Sequence, residues 1–160
     1  MRPRSTAVGV VGLGNILMGD DGVGVRVVQR LQAMDLGREV EVIDGGVGSL
    51  SIPFYRYKGI VLVDAVVSSH PPGTVLTYGR EEILQGGIDL LKLSLHGMGF
   101  SEVLSLLEMR EEAPEEVLLV GIVPKEVKVG IEISPEVERA IPLAIDRVLH
   151  LAEEMLLRFG

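Results

Sequence analysis

Apolar positions along the chain change period repeatedly, and the changes mark out alternating strands and helices. Ala7 to Val11 is an unbroken apolar run of the kind that becomes a buried first strand. Val23, Val27, Leu31 and Met34 then recur at helical spacing, which predicts a helix from about Asp20 to Met34. Glu39 to Ile43 reads as a short strand ending in Asp44-Gly45-Gly46, and Leu50 to Tyr57 as a short helix limited by Pro53. Gly59 to Asp64 is apolar enough for a strand buried on both faces of a parallel sheet. Pro71-Pro72-Gly73 turns the chain into Thr74 to Tyr78, a strand suited to an antiparallel edge.

In the second half, Phe100, Val103, Leu104 and Leu107 form one helical face, and Val117 to Val123 is a further buried strand closed by Pro124. Ser134-Pro135-Glu136 reads as a cap, a first-turn proline and an acidic first turn. Val137, Ile141, Ala144, Val148, Leu151 and Met155 line one side of the long helix that follows, and Pro142 within it predicts a kink. With no repeat, linker or low-complexity stretch, residues 1–160 read as one domain. The alternation predicts a three-layer α/β/α sandwich around a mostly parallel twisted sheet with an antiparallel edge strand.

Composition narrows the function. A 47% apolar and 24% charged chain describes a compact globular protein, and a net charge of -8 argues against nucleic acid or an anionic membrane as partner. No stretch is long enough to span a bilayer. Met1-Arg2-Pro3-Arg4 before an apolar run imitates a signal peptide, but Gly12, Gly14 and Asn15 interrupt the run, favouring a buried strand. The absence of cysteine removes thiolate chemistry and fits a reducing cytoplasm. No oligomeric state follows, and a monomer is compatible with the sequence.

The first strand leads into Gly12-Leu13-Gly14-Asn15-Ile16-Leu17-Met18-Gly19-Asp20-Asp21-Gly22-Val23-Gly24. This imitates a phosphate-binding glycine loop. A phosphate cradle needs free backbone N–H groups and often a lysine, whereas this segment carries two carboxylates and no Lys or Arg between Arg4 and Arg26. It should attract a cation. Asp44 and Asp64 fall at the ends of the second and third expected strands, where open α/β sheets bind ligands. His96, in Ser94-Leu95-His96-Gly97-Met98-Gly99, adds an imidazole, and two carboxylates with one imidazole suit a divalent transition ion. Each residue also has a structural reading. Asp20 reads as a helix N-cap, Asp21 as a helix-dipole partner or a ligand, Asp44 as a turn residue, and His96 as a structural or functional imidazole. His70 reads as solvated loop, and His150 as the outer face of the last helix.

Together the first-loop motif, Ile43-Asp44-Gly45-Gly46, Leu62-Val63-Asp64-Ala65, Ser94-Leu95-His96 and Val120-Gly121-Ile122-Val123-Pro124 resemble the nickel–iron hydrogenase maturation endopeptidases over nearly the whole chain. The resemblance implies an α/β/α sandwich. It further implies an endopeptidase that removes the C-terminal extension of a hydrogenase large-subunit precursor after nickel has entered that subunit. On this reading Asp21, Asp64 and His96 bind the metal, with aspartate at 21 where some members have glutamate, and nickel comes chiefly with the substrate. Asp21 and Asp64 would serve catalysis through that metal, and Asp44 would be a further functional acid in positioning or proton transfer. The chain has neither a nucleophile elbow nor a His-Glu-x-x-His helix. Two other functions fit the residues: a non-hydrolytic, nickel-reading accessory protein, and a nucleotide- or phosphate-binding regulatory domain.

Overall fold

The computed structural model describes residues 6–47, 52–85 and 100–160, together with the backbone of 89–90. Thr6-Ala7-Val8-Gly9-Val10-Val11-Gly12-Leu13 forms β1 and is buried along its whole length. After it come a single 3₁₀ turn, Gly19–Gly22, and helix α1, Val23–Gln32. Strand β2 spans Val40–Gly46, β3 Tyr57–Val67 and β4 Val75–Tyr78. The remaining elements are α2 (Arg80–Leu84), β5 (Asp89–Leu90), α3 (Phe100–Met109), β6 (Glu116–Ile122) and α4 (Pro135–Phe159).

The sheet order is β2-β1-β3-β6-β4, with β5 paired to β3 off this path. β1 pairs in parallel with β2 and β3, and β3 in parallel with β6, while β4 runs antiparallel to β6 at the edge. The expected sandwich and antiparallel edge strand are therefore present. Alternation along the strands divides the core into two layers. Val8, Val10, Val61, Val63, Val120 and Ile122 pack with α1 and α4 on one face. Val11, Leu13, Ile60, Leu62 and Leu119 pack with Phe54, Ile83, Phe100 and Leu104 on the other.

Several boundaries differ from the sequence reading. The first helix begins at Val23, because Gly19–Gly22 closes a tighter turn with Gly22 at the helix N-cap. Met34 lies past the helical C-cap and is 45% exposed, so it is not core. Of the helix expected over Leu50–Tyr57, the described part holds only the 3₁₀ turn Phe54–Arg56; Tyr57 already opens β3. The long helix runs through Pro142, which sits on the exposed side, so the missing N–H affects the outward ladder and not the packed face.

The contact that sets the position of α1 is made by glycines. A Cβ on Gly24 would lie 2.2 Å from the Val63 carbonyl oxygen and 2.5 Å from that of Leu13. One on Gly12 would lie 2.4 Å from the Gly24 carbonyl oxygen. The first turn of α1 thus rests directly on the backbone of β1 and β3, where no side chain fits. Gly24→Ala should therefore lower unfolding free energy by about 3 kcal/mol, since neither backbone can yield. Urea denaturation measures this, and a variant as stable as the parent would show that the helix does not depend on this approach.

Candidate active site

The chain leaves β1 in opposite directions to β2 and β3, so the crevice beyond the carboxyl ends of β1 and β3 is the topological switch point of the sheet. The β1–β3 ladder stops at Gly12 and Val63, although β3 continues beside β6 through Asp64 and Ala65. Asp64 is therefore the first residue of β3 beyond the reach of β1. It does not end its strand, as the sequence suggested, because pairing with β6 and β5 carries β3 on to Val67.

Beyond β1 the chain turns at Gly14, whose φ of 127° is closed to most side chains. The Gly14 N–H donates to the Gly46 carbonyl at 2.9 Å, tying the loop to the end of β2. A Cβ on Gly14 would stand 2.0 Å from the Asp21 carbonyl oxygen and 3.6 Å from Asp64 Oδ1. A bare glycine thus lets the Asp21 peptide close on this turn, with the Asp64 carboxylate beside it.

The two carboxylates have few partners. Asp21 is 5% exposed, and its Oδ2 accepts the Asn15 N–H at 2.9 Å. Asp64 is partly exposed, and its Oδ1 accepts the Ala65 N–H at 2.8 Å. Among the described residues no cation pairs with either acid. Burial pushes Asp21 above the ordinary carboxylate range, against the Asn15 hydrogen bond. Burial, then the neighbouring Asp21 charge, push Asp64 well above it, against the Ala65 hydrogen bond. Two desolvated acids that repel one another form a place where a cation would be favoured.

Asp20, next door, is the opposite case. It is 0% exposed, and Oδ2 accepts the N–H groups of Lys125 and Glu126, each at 2.9 Å. Ser134 donates its N–H to Oδ1 and its hydroxyl to Oδ2, both at 2.7 Å. Burial alone would raise its pKa, but these bonds outweigh burial and hold it below the ordinary value. Asp20 is therefore not the N-cap of α1, which has no side-chain cap bond. Its bonds go to the β6–α4 connection instead. Ser134 does occupy the N-cap position of α4, yet its hydroxyl serves Asp20 rather than the helix.

The other sequence candidates divide. Asp44 lies opposite Gly12 in the β1–β2 register, one strand from the pair, and is exposed. Its Oδ1 accepts the Gly46 N–H at 3.1 Å, closing the turn read from Asp-Gly-Gly, and no bond joins it to Asp21 or Asp64. His96 lies outside the described residues. The chain flanking it is placed: β5 pairs with Val66 and Val67 just beyond Asp64, and α3 resumes at Phe100 in the layer that Ile60 and Leu62 face. His70 bonds to Ser68 in an exposed loop, and His150 pairs with Glu154 on the outer face of α4.

Residue-type reasoning passed over Asn15, Lys125, Glu126 and Ser134. Three of them act through backbone N–H groups, which any residue except proline supplies; only the Ser134 hydroxyl carries a side-chain signal. Asn15 does more than hold Asp21, because its Oδ1 accepts the Leu17 N–H at 2.9 Å.

The glycine loop is no phosphate cradle. The N–H groups of Gly14, Asn15, Leu17, Met18, Gly19, Asp20 and Asp21 all donate within the protein. An anion would find almost none free, which removes the physical basis for a nucleotide-binding domain.

An α/β/α sandwich whose switch point holds uncompensated carboxylates is the class that this geometry defines. The particular family follows from comparison with known proteins. The sequence model of the hydrogenase maturation protease family matches residues 25–151, and the chain belongs to that family. The hydrogenase 2 maturation protease of Escherichia coli strain K12 is 34% identical over 149 residues, covering 91% of this chain and 90% of that protein. The solved structure of the E. coli hydrogenase maturating endopeptidase HybD superposes with a TM-score of 0.83 at 32% identity, over 93% of each chain. The [NiFe] hydrogenase maturation protease HybD of Thermococcus kodakarensis gives 0.71 at 30% identity, over 92% of this chain and 99% of that one. The protein is a hydrolase of the peptide-bond class.

The acids should separate in a stability measurement. Folding lowers the pKa of Asp20, so its contribution is present above the unfolded value of 3.8 and lost as pH falls through the folded one. Asp64 has its pKa raised, so stability falls as pH rises from 3.8 through the folded value. At pH 7, Asp20→Asn places an NH₂ against converging donors and should cost about 3 kcal/mol. Asp64→Asn should raise the thermal midpoint. Midpoints shifted in the same direction would contradict this division of roles.

Proposed function

We propose that this chain is an endopeptidase that removes the C-terminal extension of a [NiFe] hydrogenase large-subunit precursor once that precursor carries nickel. The observation that carries the reading is the pair at the switch point, a buried Asp21 and a part-buried Asp64, with no cation opposite them among the described residues. In this proposal nickel is part of the substrate and arrives with the precursor. Asp21, Asp64 and His96 complete its coordination, a set of two carboxylates and one imidazole that suits a divalent transition ion. Such an ion supplies Lewis-acid chemistry to a nearby carbonyl or water.

The reaction is hydrolysis: water adds to the scissile carbonyl carbon, the C–N bond breaks, and a proton passes to the departing amine. Asp21 and Asp64 orient the loaded precursor so that this carbonyl lies at the β1–β3 crevice. Asp44, one strand away with Oδ1 held by Gly46, positions the chain or moves the proton. A metal-charged, locally basic precursor tail suits the site, because the enzyme itself is acidic. We place the reaction in the cytoplasm. Among the described residues, no helix is long and apolar enough to cross a membrane.

Incubating the purified protein with a large-subunit precursor, with and without nickel, and following precursor mass tests this directly. Cleavage is expected only of the nickel-loaded form. Equal cleavage of the nickel-free form would overturn metal recognition, and binding without cleavage of the loaded form would make the chain an accessory protein. Asp21→Ala, Asp64→Ala and His96→Ala should each slow processing by at least about a hundredfold with the fold retained. A residue whose variant keeps full activity does not belong to the site.

A further inference from the structure

We infer that a short apolar ribbon beside the acids is the docking surface for the protein substrate; the inference rests on the endopeptidase reading above. Leu17–Gly19 runs parallel to Val129–Ile131, with Met18 bridged to Gly130. The Gly130 N–H donates to the Leu17 carbonyl and the Gly19 N–H to the Gly130 carbonyl, each at 2.8 Å. Leu17 on one chain and Val129 and Ile131 on the other flank this bridge directly. Those three are 59%, 84% and 64% exposed, whereas Met18 is half-buried.

This exposure is built into a fixed support. Asp20 holds residues 125, 126 and 134 on either side of the ribbon, and Arg26 Nη2 donates to the Ile131 carbonyl at 3.0 Å. Three branched side chains held in water by a braced backbone are costly unless something covers them. Behind Ile131 lies a groove between α1 and α4 whose walls include Arg26, Arg30, Glu132 and Glu138, so the apolar surface ends there.

The position of the ribbon decides the occupant. The loop that carries Leu17 carries Asp21 four residues later, on the same edge of the sheet, so a polypeptide cut at Asp21 and Asp64 passes the ribbon. Lys128 pairs with Glu126 and Lys125 with Glu136, while Glu132 stays exposed at the far end, so the face itself is apolar with an acidic border in a chain of net charge -8. The surface therefore fits an apolar segment of the precursor, separate from the nickel-bearing part that the acids would read.

The test is the triple variant Leu17→Ser/Val129→Ser/Ile131→Ser, compared with a control, Met34→Ser/Met109→Ser/Leu157→Ser, at exposed apolar positions elsewhere. With nickel-loaded precursor, the ribbon variant should raise KM about tenfold and leave kcat within about twofold, at an unchanged thermal midpoint. The control should leave KM unchanged. An unchanged KM in the ribbon variant, or an equal rise in the control, overturns the inference. So does a ribbon variant that only dissociates a dimer of this chain in light scattering. If the parent protein cleaves no precursor, the endopeptidase reading fails. Direct binding to that precursor then decides the ribbon, with a tenfold loss confined to the ribbon variant upholding it and equal binding refuting it.

Discussion

The carboxylate of Asp20 is the constraint on which the edge of this molecule depends. The first loop and the β6–α4 connection are separated by more than a hundred residues of sequence, and they meet at one buried side chain. A buried carboxylate without partners would be prohibitively costly. Here three backbone N–H groups and a hydroxyl surround it, and in low dielectric such charge-assisted bonds are strong. The same bonds fix where α4 begins, because Ser134 is both the helix N-cap and a donor to Asp20. They also hold the loop that presents Asp21 against the sheet.

That support lets the neighbouring acids remain unsatisfied. Asp21 is buried and Asp64 half-buried, close enough to repel, and among the described residues each has one backbone N–H as its hydrogen-bond donor. An arrangement of this kind lowers stability, and it persists only where the surrounding backbone is over-determined. Three features over-determine it: the bare contact of Gly24 with β1 and β3, the turn at Gly14, and the Asp20 anchor. Stability supplied by the fold is thus used locally to hold charge where a cation would be favoured.

Much of this was legible in the sequence, for identifiable reasons. Continuous apolar runs at β1, β3 and β6 can only be strands buried on both faces, and they led to the sheet. Acids at the carboxyl ends of such runs led to Asp21 and Asp64. Boundaries were harder, because the pairing partner sets where a strand stops; β3 continues past Asp64 on account of β6 and β5, which local pattern does not encode. The role of Asp20 was also out of reach. Its partners lie at the far end of the chain, and most are backbone N–H groups without a side-chain signature. Capping was the reading that local rules favour, and a long-range contact displaced it.

Asp20 and Asp21 share a loop, a charge and near-complete burial, so composition cannot tell them apart; donor count does. Each carboxylate offers about four lone-pair sites. Those of Asp20 meet four donors, which leaves no vacancy for a metal, whereas among the described residues Asp21 accepts one N–H. A ligand for an arriving ion needs open lone pairs and a fixed position, which is why the proposed metal role falls to Asp21 and not to Asp20. The position of Asp21 is in turn fixed by the residue that has neither vacancy nor exposure. The ribbon of Leu17, Val129 and Ile131 is braced by that same anchor. On the proposed reading, a force that a docked substrate exerts on the ribbon would reach the loop of Asp21 through Asp20, and substrate docking and metal reading would share one rigid support.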